Sequence, residues 1–242
     1  TRDWWGRLVA AFHGNPHHRM TFLGVTGTNG KTTTTTILYH VFSEMGFVPG
    51  LIGTIRYQWR DRIEPSAYTS PDPEILYPLL ERMQADGVDT VIMEVSSHAL
   101  AQRRLGDIRF RAAVLTNLTQ DHLDFHKTME EYAAAKSLLF TEHLAPHARL
   151  AAWGGNPWLR RIIPPSLPTT IYDVAPGPGV QTWAKDIRES LDGLQFAAVT
   201  PNGEVSLQSP LVGMHNVQNL LAVASLVSLL ELDMQAMVRA VS

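Results

Sequence analysis

The chain has no cysteine. That excludes disulfides, thiolate nucleophiles and cysteine-ligated zinc, and a reducing compartment, the cytoplasm, is the expected setting. It has no surplus of positive charge: 20 lysines and arginines stand against 23 acidic residues, for a net charge of −3. Nucleic acid and anionic membrane therefore have no electrostatic claim as main partners. No apolar run approaches the roughly 18 residues of a membrane span, and no signal-peptide pattern is present. Charged residues are few, at 18%, against 45% hydrophobic. Such a chain of 242 residues can build a sizeable core, as one large domain or one domain with a small subdomain. It begins at Thr1 rather than methionine, so a longer parent is expected.

What is present is a glycine loop in the right company. "MTFLGV" reads as a buried strand, and "TGTNGKT" follows it. Then comes a helix with Ile37, Leu38, Val41, Phe42 and Met45 on one face, stopped by Gly46. Strand, loop and helix are the context of a phosphate-binding loop. The general fingerprint asks for glycine five residues before Gly30, but Val25 stands there. The loop is therefore a variant. Its backbone amides and the helix N-terminus form an anion site, Lys31 offsets phosphate charge, and Thr32 offers a hydroxyl to Mg²⁺.

Further along, "SPDPEILYPLLERMQADG" reads as a helix capped by Ser70 or Asp72, with Pro78 expected to kink it. "DTVIMEVS", "RAAVLTNL" and "ARLAAW" read as buried strands. "TMEEYAAAKSLLFTEHL" reads as a helix opened by a capping box, Thr128 with Glu131. Strands alternating with helices predict an α/β fold with a doubly wound, mostly parallel sheet. Residues 1–20 form a lead-in helix and turn, and residues 21–242 the main domain. Residues 164–212 change character: a small antiparallel β subdomain or appended edge is expected, with a hairpin at Asn202-Gly203. "HNVQNLLAVASLVSLLEL" returns to an apolar helix.

Several polar residues lie where strands end. Glu94 closes its strand, and a buried carboxylate needs a partner. Mg²⁺ beside a triphosphate and capping of the following "SSHAL" helix are both open readings. "TNLTQDHLDFH" groups Asp121, His122, Asp124 and His126 between a strand and a helix, as a metal site would; Asp124 reads more simply as a surface residue. Arg103 and Arg104 suit carboxylate or phosphate recognition, with a surface ion pair the simpler reading for Arg103. Lys136 lies in an apolar stretch of its helix, where an exposed lysine is the ordinary reading. A desolvated lysine would instead be a neutral amine able to take up CO₂ as a carbamate. Spacing alone does not select that chemistry.

Together these strings resemble the Mur ligases, ATP-dependent amide-bond-forming enzymes of peptidoglycan synthesis. "TGTNGKTT" is similar to that family's own phosphate loop, which lacks the early glycine. "YTSPDP", "MEVSSHALAQRR" and "TNLTQDHLDFHKTMEEYAAAKSLLF" resemble the members that make UDP-N-acetylmuramoyl-tripeptide, and "LVGMHNVQNLLA" the family's adenine-side segment. The resemblance covers roughly residues 5–232 and implies a central ATP-binding domain alone. A domain gripping the UDP end would precede Thr1, and one binding the incoming amino acid would follow Ser242. The isolated chain would then bind ATP weakly and not ligate.

The resemblance also implies roles. Gly27, Thr28, Asn29, Gly30, Lys31, Thr32 and Thr33 would hold the ATP phosphates, with Asn216 and Asn219 at the adenine end. Thr32 and Glu94 would bind one Mg²⁺, and His122 with carbamylated Lys136 a second. Thr69, Ser70, Ser96, Gln102 and Arg104 would face UDP-MurNAc-L-Ala-D-Glu. The co-substrate would be a diamino acid, meso-diaminopimelate before L-lysine. Ser70 where the family carries threonine, and "WGGNP" at 153–157, depart from its pattern. The alternatives are a cyanophycin or folylpolyglutamate synthase, against which "EVSSHAL" argues, or a non-catalytic ATP-binding module.

Overall fold

A computed structural model describes residues 2–121 and 123–242, without the side chains of Arg2, Asp3 and Leu123. Its strands show why apolar runs rather than alternating ones mark this sequence. In β1 (Thr21–Thr26), Phe22 packs into one apolar cluster and Leu23 into another. In β5 (Thr90–Glu94), Val91 and Met93 take the first cluster and Ile92 the second. Successive side chains of a strand point to opposite faces, so a strand buried on both sides must be apolar throughout.

The other strands are β2 (Pro49–Ile52), β3 (Arg56–Trp59), β4 (Arg62–Pro65), β6 (Phe110–Leu115), β7 (Leu144–Trp153), β8 (Thr169–Tyr172), β9 (Val180–Ser190), β10 (Gly193–Thr200) and β11 (Gly203–Ser209). They form one sheet in the order β11-β10-β9-β8-β7-β6-β1-β5-β2-β3-β4. Pairing is parallel from β2 through β5, β1, β6, β7 and β8 to β9. Both ends are antiparallel: β2-β3-β4 at one edge and β9-β10-β11 at the other. The β10-β11 hairpin turns through Pro201-Asn202, with Thr200 opposite Gly203. Residues 180–209 thus extend the main sheet as its antiparallel edge.

Helices cover both faces. α2 (Lys31–Glu44), α8 (Met214–Leu229) and α9 (Met234–Val241) enclose one cluster. α1 (Arg2–Phe12), α3 (Pro73–Ala85), α4 (Ser97–Ala101), α6 (Met129–Glu142) and α7 (Leu159–Ile162) enclose the other, and α5 (Leu123–His126) is a single turn before α6. Thr128 caps α6 as expected, its hydroxyl accepting from Glu131 N at 3.1 Å. α3 runs through Pro78 without a break. Its N-cap residue is Asp72, one of the two expected, but the carboxylate makes no capping bond and lies 3.2 Å from Arg104 Nε, while the Ser70 hydroxyl donates to Glu94 O. Strands β2 to β4 and helix α9 were not legible. β2 is four residues opening with Pro49-Gly50, and β4 is mostly exposed, so neither shows a clear period. Among the described residues, no helix is long and apolar enough to cross a membrane.

The chain leaves β5 on one side of β1 and returns as β6 on the other. The carboxyl ends of β1, β5 and β6 therefore open together, at the crevice where doubly wound sheets hold their ligands.

Candidate active site

The glycine loop spans the gap between β1 and α2. Two glycines are obligatory there. Gly27 has φ of +148°, and a Cβ on it would overlap the Thr116 hydroxyl and crowd the Asn117 backbone. Gly30 has φ of +84°, and its Cβ would overlap Asn219 Oδ1. The segment after β6 braces the loop from the other side. Thr28 N donates to Asn117 O at 2.8 Å, Asn29 N to Asn117 Oδ1 at 2.9 Å, and Thr116 Oγ1 to Asn29 O at 2.7 Å. The amides of Thr28 and Asn29 are thereby spent. Those of Lys31, Thr32 and Thr33 begin α2, whose N-cap Gly30 offers no side chain, so they lack helical partners. The first helical bond runs from Thr34 N to Gly30 O, 2.9 Å.

Glu94 ends β5 at 1% exposure. It does not cap α4; Ser96 does, accepting from Ala99 N at 3.2 Å. Glu94 instead takes two bonds from one residue: Thr54 N to Oε1 at 2.8 Å and Thr54 Oγ1 to Oε2 at 2.9 Å. Each carboxylate oxygen keeps acceptor capacity. Ser70 lies behind it, its hydroxyl donating to Glu94 O at 2.8 Å and accepting from Ser96 N at 2.9 Å. With the Thr54 proton given to Glu94, the Thr69 hydroxyl, 3.0 Å away, donates to Thr54 Oγ1.

Lys136 corrects the ordinary reading of an exposed helical lysine: it is 1% exposed. Its Nζ donates to Gly27 O at 2.9 Å and sits 4.6 Å from the centre of the Tyr132 ring. Burial pushes its pKa well below the usual value, and the Lys31 charge pushes it further, against the pull of Asp121. The Lys31 amine donates to Gly27 O and Thr28 O at 3.0 and 2.8 Å. Burial lowers its pKa too, partly offset by Glu94 and Asp121. Tyr132, its phenol pushed up to about 12 chiefly by burial, shares a 3.3 Å hydrogen bond with Thr28 Oγ1.

The Lys136 shift carries a stability consequence. The unfolded chain holds that proton more tightly than the folded one, so folding is favoured as pH rises towards the usual lysine value of 10.5. Denaturant unfolding in CO₂-free buffer should show stability increasing from neutral pH upwards. Lys136→Met should flatten that slope; an unchanged slope would refute the assignment.

Most of these groups line one cavity of about 420 Å³: Thr28, Lys31 and Lys136 together with Thr54, Thr69, Ser70, Ser96, Arg104 and Asp121, with Glu94 bonded to Thr54 in that lining. Arg104 Nη1 donates to Ser70 O at 3.1 Å, and Nη2 to Gln102 Oε1 at 2.6 Å. Arg103 pairs instead with Glu142 at an exposed site. His122 lies outside the described residues. Asp124 is exposed. His126 is buried and does not itself line the cavity: its Nε2 is 2.8 Å from Ser97 Oγ and its ring is stacked on Tyr132, both of which do.

A sequence model of the Mur ligase middle domain matches residues 25–227. The chain belongs to the Mur ligase family. Mur ligases are ATP-dependent acid–amino-acid ligases. A UDP-N-acetylmuramoyl-L-alanyl-D-glutamate–2,6-diaminopimelate ligase of Geobacillus kaustophilus is 40% identical over 222 residues, 90% of this chain and 45% of that protein. The ligase of the same name from Thermosynechococcus vestitus is 38% identical over 236 residues, 97% of this chain and 47% of that one. The chain thus spans about half the length of the curated relatives it matches. A solved structure of a ligase with that name superposes with a TM-score of 0.81 at 28% identity, covering 92% of this chain and 46% of the other. The apo form of L. casei FPGS shares the fold, with a TM-score of 0.78 at 16% identity, covering all of this chain and 67% of that one.

In this Mur ligase domain one of the two asparagines near the start of α8, Asn219, reaches the glycine loop at Gly30. Asn219 Nδ2 donates to Asn216 Oδ1 at 2.9 Å, and Thr34 Oγ1 to Asn219 Oδ1 at 3.4 Å. Asn219 therefore braces the loop turn at Gly30 and holds Asn216 beside it. Gly30→Ala should cost roughly 1–3 kcal/mol of stability and weaken nucleotide binding; a variant with wild-type melting temperature and affinity would remove the steric account. Thr54, Thr116 and Asn117 also escaped the sequence reading. Thr54 belongs to the unrecognised β2-β3 connection, and "TN" reads as the tail of a strand rather than as a brace.

Proposed function

We propose that the protein containing this chain is the diaminopimelate-adding Mur ligase. It joins an amino acid to the free D-Glu carboxylate of UDP-MurNAc-L-Ala-D-Glu. The reading rests on one observation above the others: Thr28 and Lys31 of the glycine loop, a polar wall of Ser70, Ser96 and Arg104, and the buried Lys136 line one cavity, and Thr54 in that lining holds both oxygens of Glu94. The names of the relatives support the substrate and the amino acid.

In this reading ATP lies with its phosphates on the Lys31–Thr33 amides, and Lys31 exchanges its loop carbonyls for phosphate oxygens. Asn216 takes the adenine end. Arg104, oriented by Gln102, and the hydroxyls of Thr69, Ser70 and Ser96 hold the dipeptide. The γ-phosphoryl group passes to the substrate carboxylate, releasing ADP and leaving an acyl phosphate. The amine then attacks the acyl carbon, forming the amide and expelling phosphate.

The donor set suits Mg²⁺, a hard ion that favours oxygen. Glu94 has free acceptor positions, Thr32 offers a hydroxyl, and Asp121 is a carboxylate at the cavity. Bound there, Mg²⁺ would offset the repulsion between carboxylate and triphosphate. A neutral Lys136 amine can add to CO₂, forming an N–C bond and losing a proton. The product is an anionic carbamate, which with His122 would serve a second ion. The fragment by itself is expected not to ligate.

The test uses the full-length protein with UDP-MurNAc-L-Ala-D-Glu, ATP and Mg²⁺. Phosphate release should be stimulated by meso-diaminopimelate more than by L-lysine. Stimulation by lysine alone would transfer the proposal to the lysine-adding enzyme. No stimulation by either would leave a nucleotide-binding module.

A further inference from the structure

A second polar cluster lies outside the cavity. The turn Pro16–Arg19, between α1 and β1, sets two adjacent histidines against the turn that follows α4. The ligand atoms of His17, His18 and Asp107 all lie within 4.8 Å of one another. His17 Nε2 is 2.9 Å from Asp107 Oδ1, and His18 Nε2 is 3.8 Å from Asp107 Oδ2.

His17 is only 5% exposed, its Nδ1 has no hydrogen bond, and its Nε2 meets Asp107 Oδ1 as a 2.9 Å ion pair without hydrogen-bond alignment. Buried polar atoms without partners are costly and rare. The close approach of Nε2 to Oδ1 without hydrogen-bond alignment has a simple meaning. Two donors that share an ion aim at a point between them, not at each other. Tetrahedral zinc with bonds of about 2.0–2.1 Å places neighbouring donors about 3.3 Å apart. The two observed separations bracket that value. Burial also lowers the pKa of His17, which favours the neutral, ligating imidazole.

We propose that His17, His18 and Asp107 bind a divalent first-row transition ion, Zn²⁺ foremost. Two imidazoles and one carboxylate suit Zn²⁺ and not Mg²⁺, so this site is chemically separate from the one at Glu94. The exposed side of His18 leaves a fourth position to water. The role is structural. Asp107 ends the turn that carries Gln102 and Arg104, and Tyr77 already pins that turn through a 3.1 Å bond to Leu105 O. An ion would fasten the same turn to the entry segment of β1.

The experiment strips the full-length protein with EDTA, then titrates it with Co²⁺ and Zn²⁺ under excess Mg²⁺. One equivalent should bind, with the visible absorption of low-symmetry Co²⁺ that Zn²⁺ displaces, and Zn²⁺ should raise the melting temperature. His18→Ala removes an exposed ligand without disturbing the core. It should weaken binding by more than about tenfold, the least that loss of even an outer-shell partner costs, and abolish the thermal shift. Asp107→Asn should weaken it as well. No uptake by the wild type, or unchanged uptake by His18→Ala, overturns the proposal.

Discussion

Replacing Lys136 with alanine is expected to lower tripeptide formation by the full-length protein at least about a hundredfold, the scale of losing one preorganised charge at a reacting centre. Lys136 is fully enclosed, and its amine faces Gly27 O and the Tyr132 ring. An ammonium there would be poorly solvated and would sit beside a second lysine, Lys31. Both effects favour the neutral amine that the carbamate requires. Lys136→Arg separates this role from simple charge or packing. Arginine keeps a cation and donors to Gly27 O but is never neutral, so it should fail as completely as alanine. A small acid such as formate should restore part of the Lys136→Ala rate by supplying the missing anion. A Lys136→Arg variant within about threefold of wild type would remove the carbamate from the mechanism.

The second large effect is expected at Glu94. Glu94→Gln should reduce the rate about a hundredfold or more and shift the Mg²⁺ dependence to higher concentrations. The replacement is nearly isosteric, and one Thr54 bond survives on its carbonyl oxygen. The Thr54 hydroxyl has an alternative partner in Thr69 at 3.0 Å. Stability should therefore change little, which makes the kinetic loss interpretable. Glu94 also raises the Lys31 pKa. Losing its charge should let Lys31 deprotonate at lower pH, narrowing the alkaline limb of the rate profile. An unaltered Mg²⁺ requirement would mean that Glu94 only anchors Thr54.

The loop and its flanking strand and helix were legible because they are contiguous. Gly27 and Gly30 declare backbone conformations that other residues resist, and the apolar runs declare strands buried on both faces. The threonine run illustrates the limit. Thr34 and Thr35 are fully buried: Thr34 bonds Asn219, and Thr35 bonds Thr32 O at 3.0 Å. Nothing local distinguishes them from ordinary helix positions. Thr54 was invisible for a related reason. Its partner is 40 residues away, and it sits between two short strands whose pattern is too brief to register.

The sequence by itself determined the fold class, the glycine loop between its strand and helix, and the family, because each depends on residues close together in the chain. Only the tertiary structure decided the state of the charged groups. Lys136 reads as a surface lysine until α6 is laid on the sheet and closes over it. Glu94 reads equally as a helix cap or a metal ligand until the β2-β3 connection delivers Thr54. Solvation and partners set a charge's free energy, and both are supplied through space by segments that the chain order keeps apart.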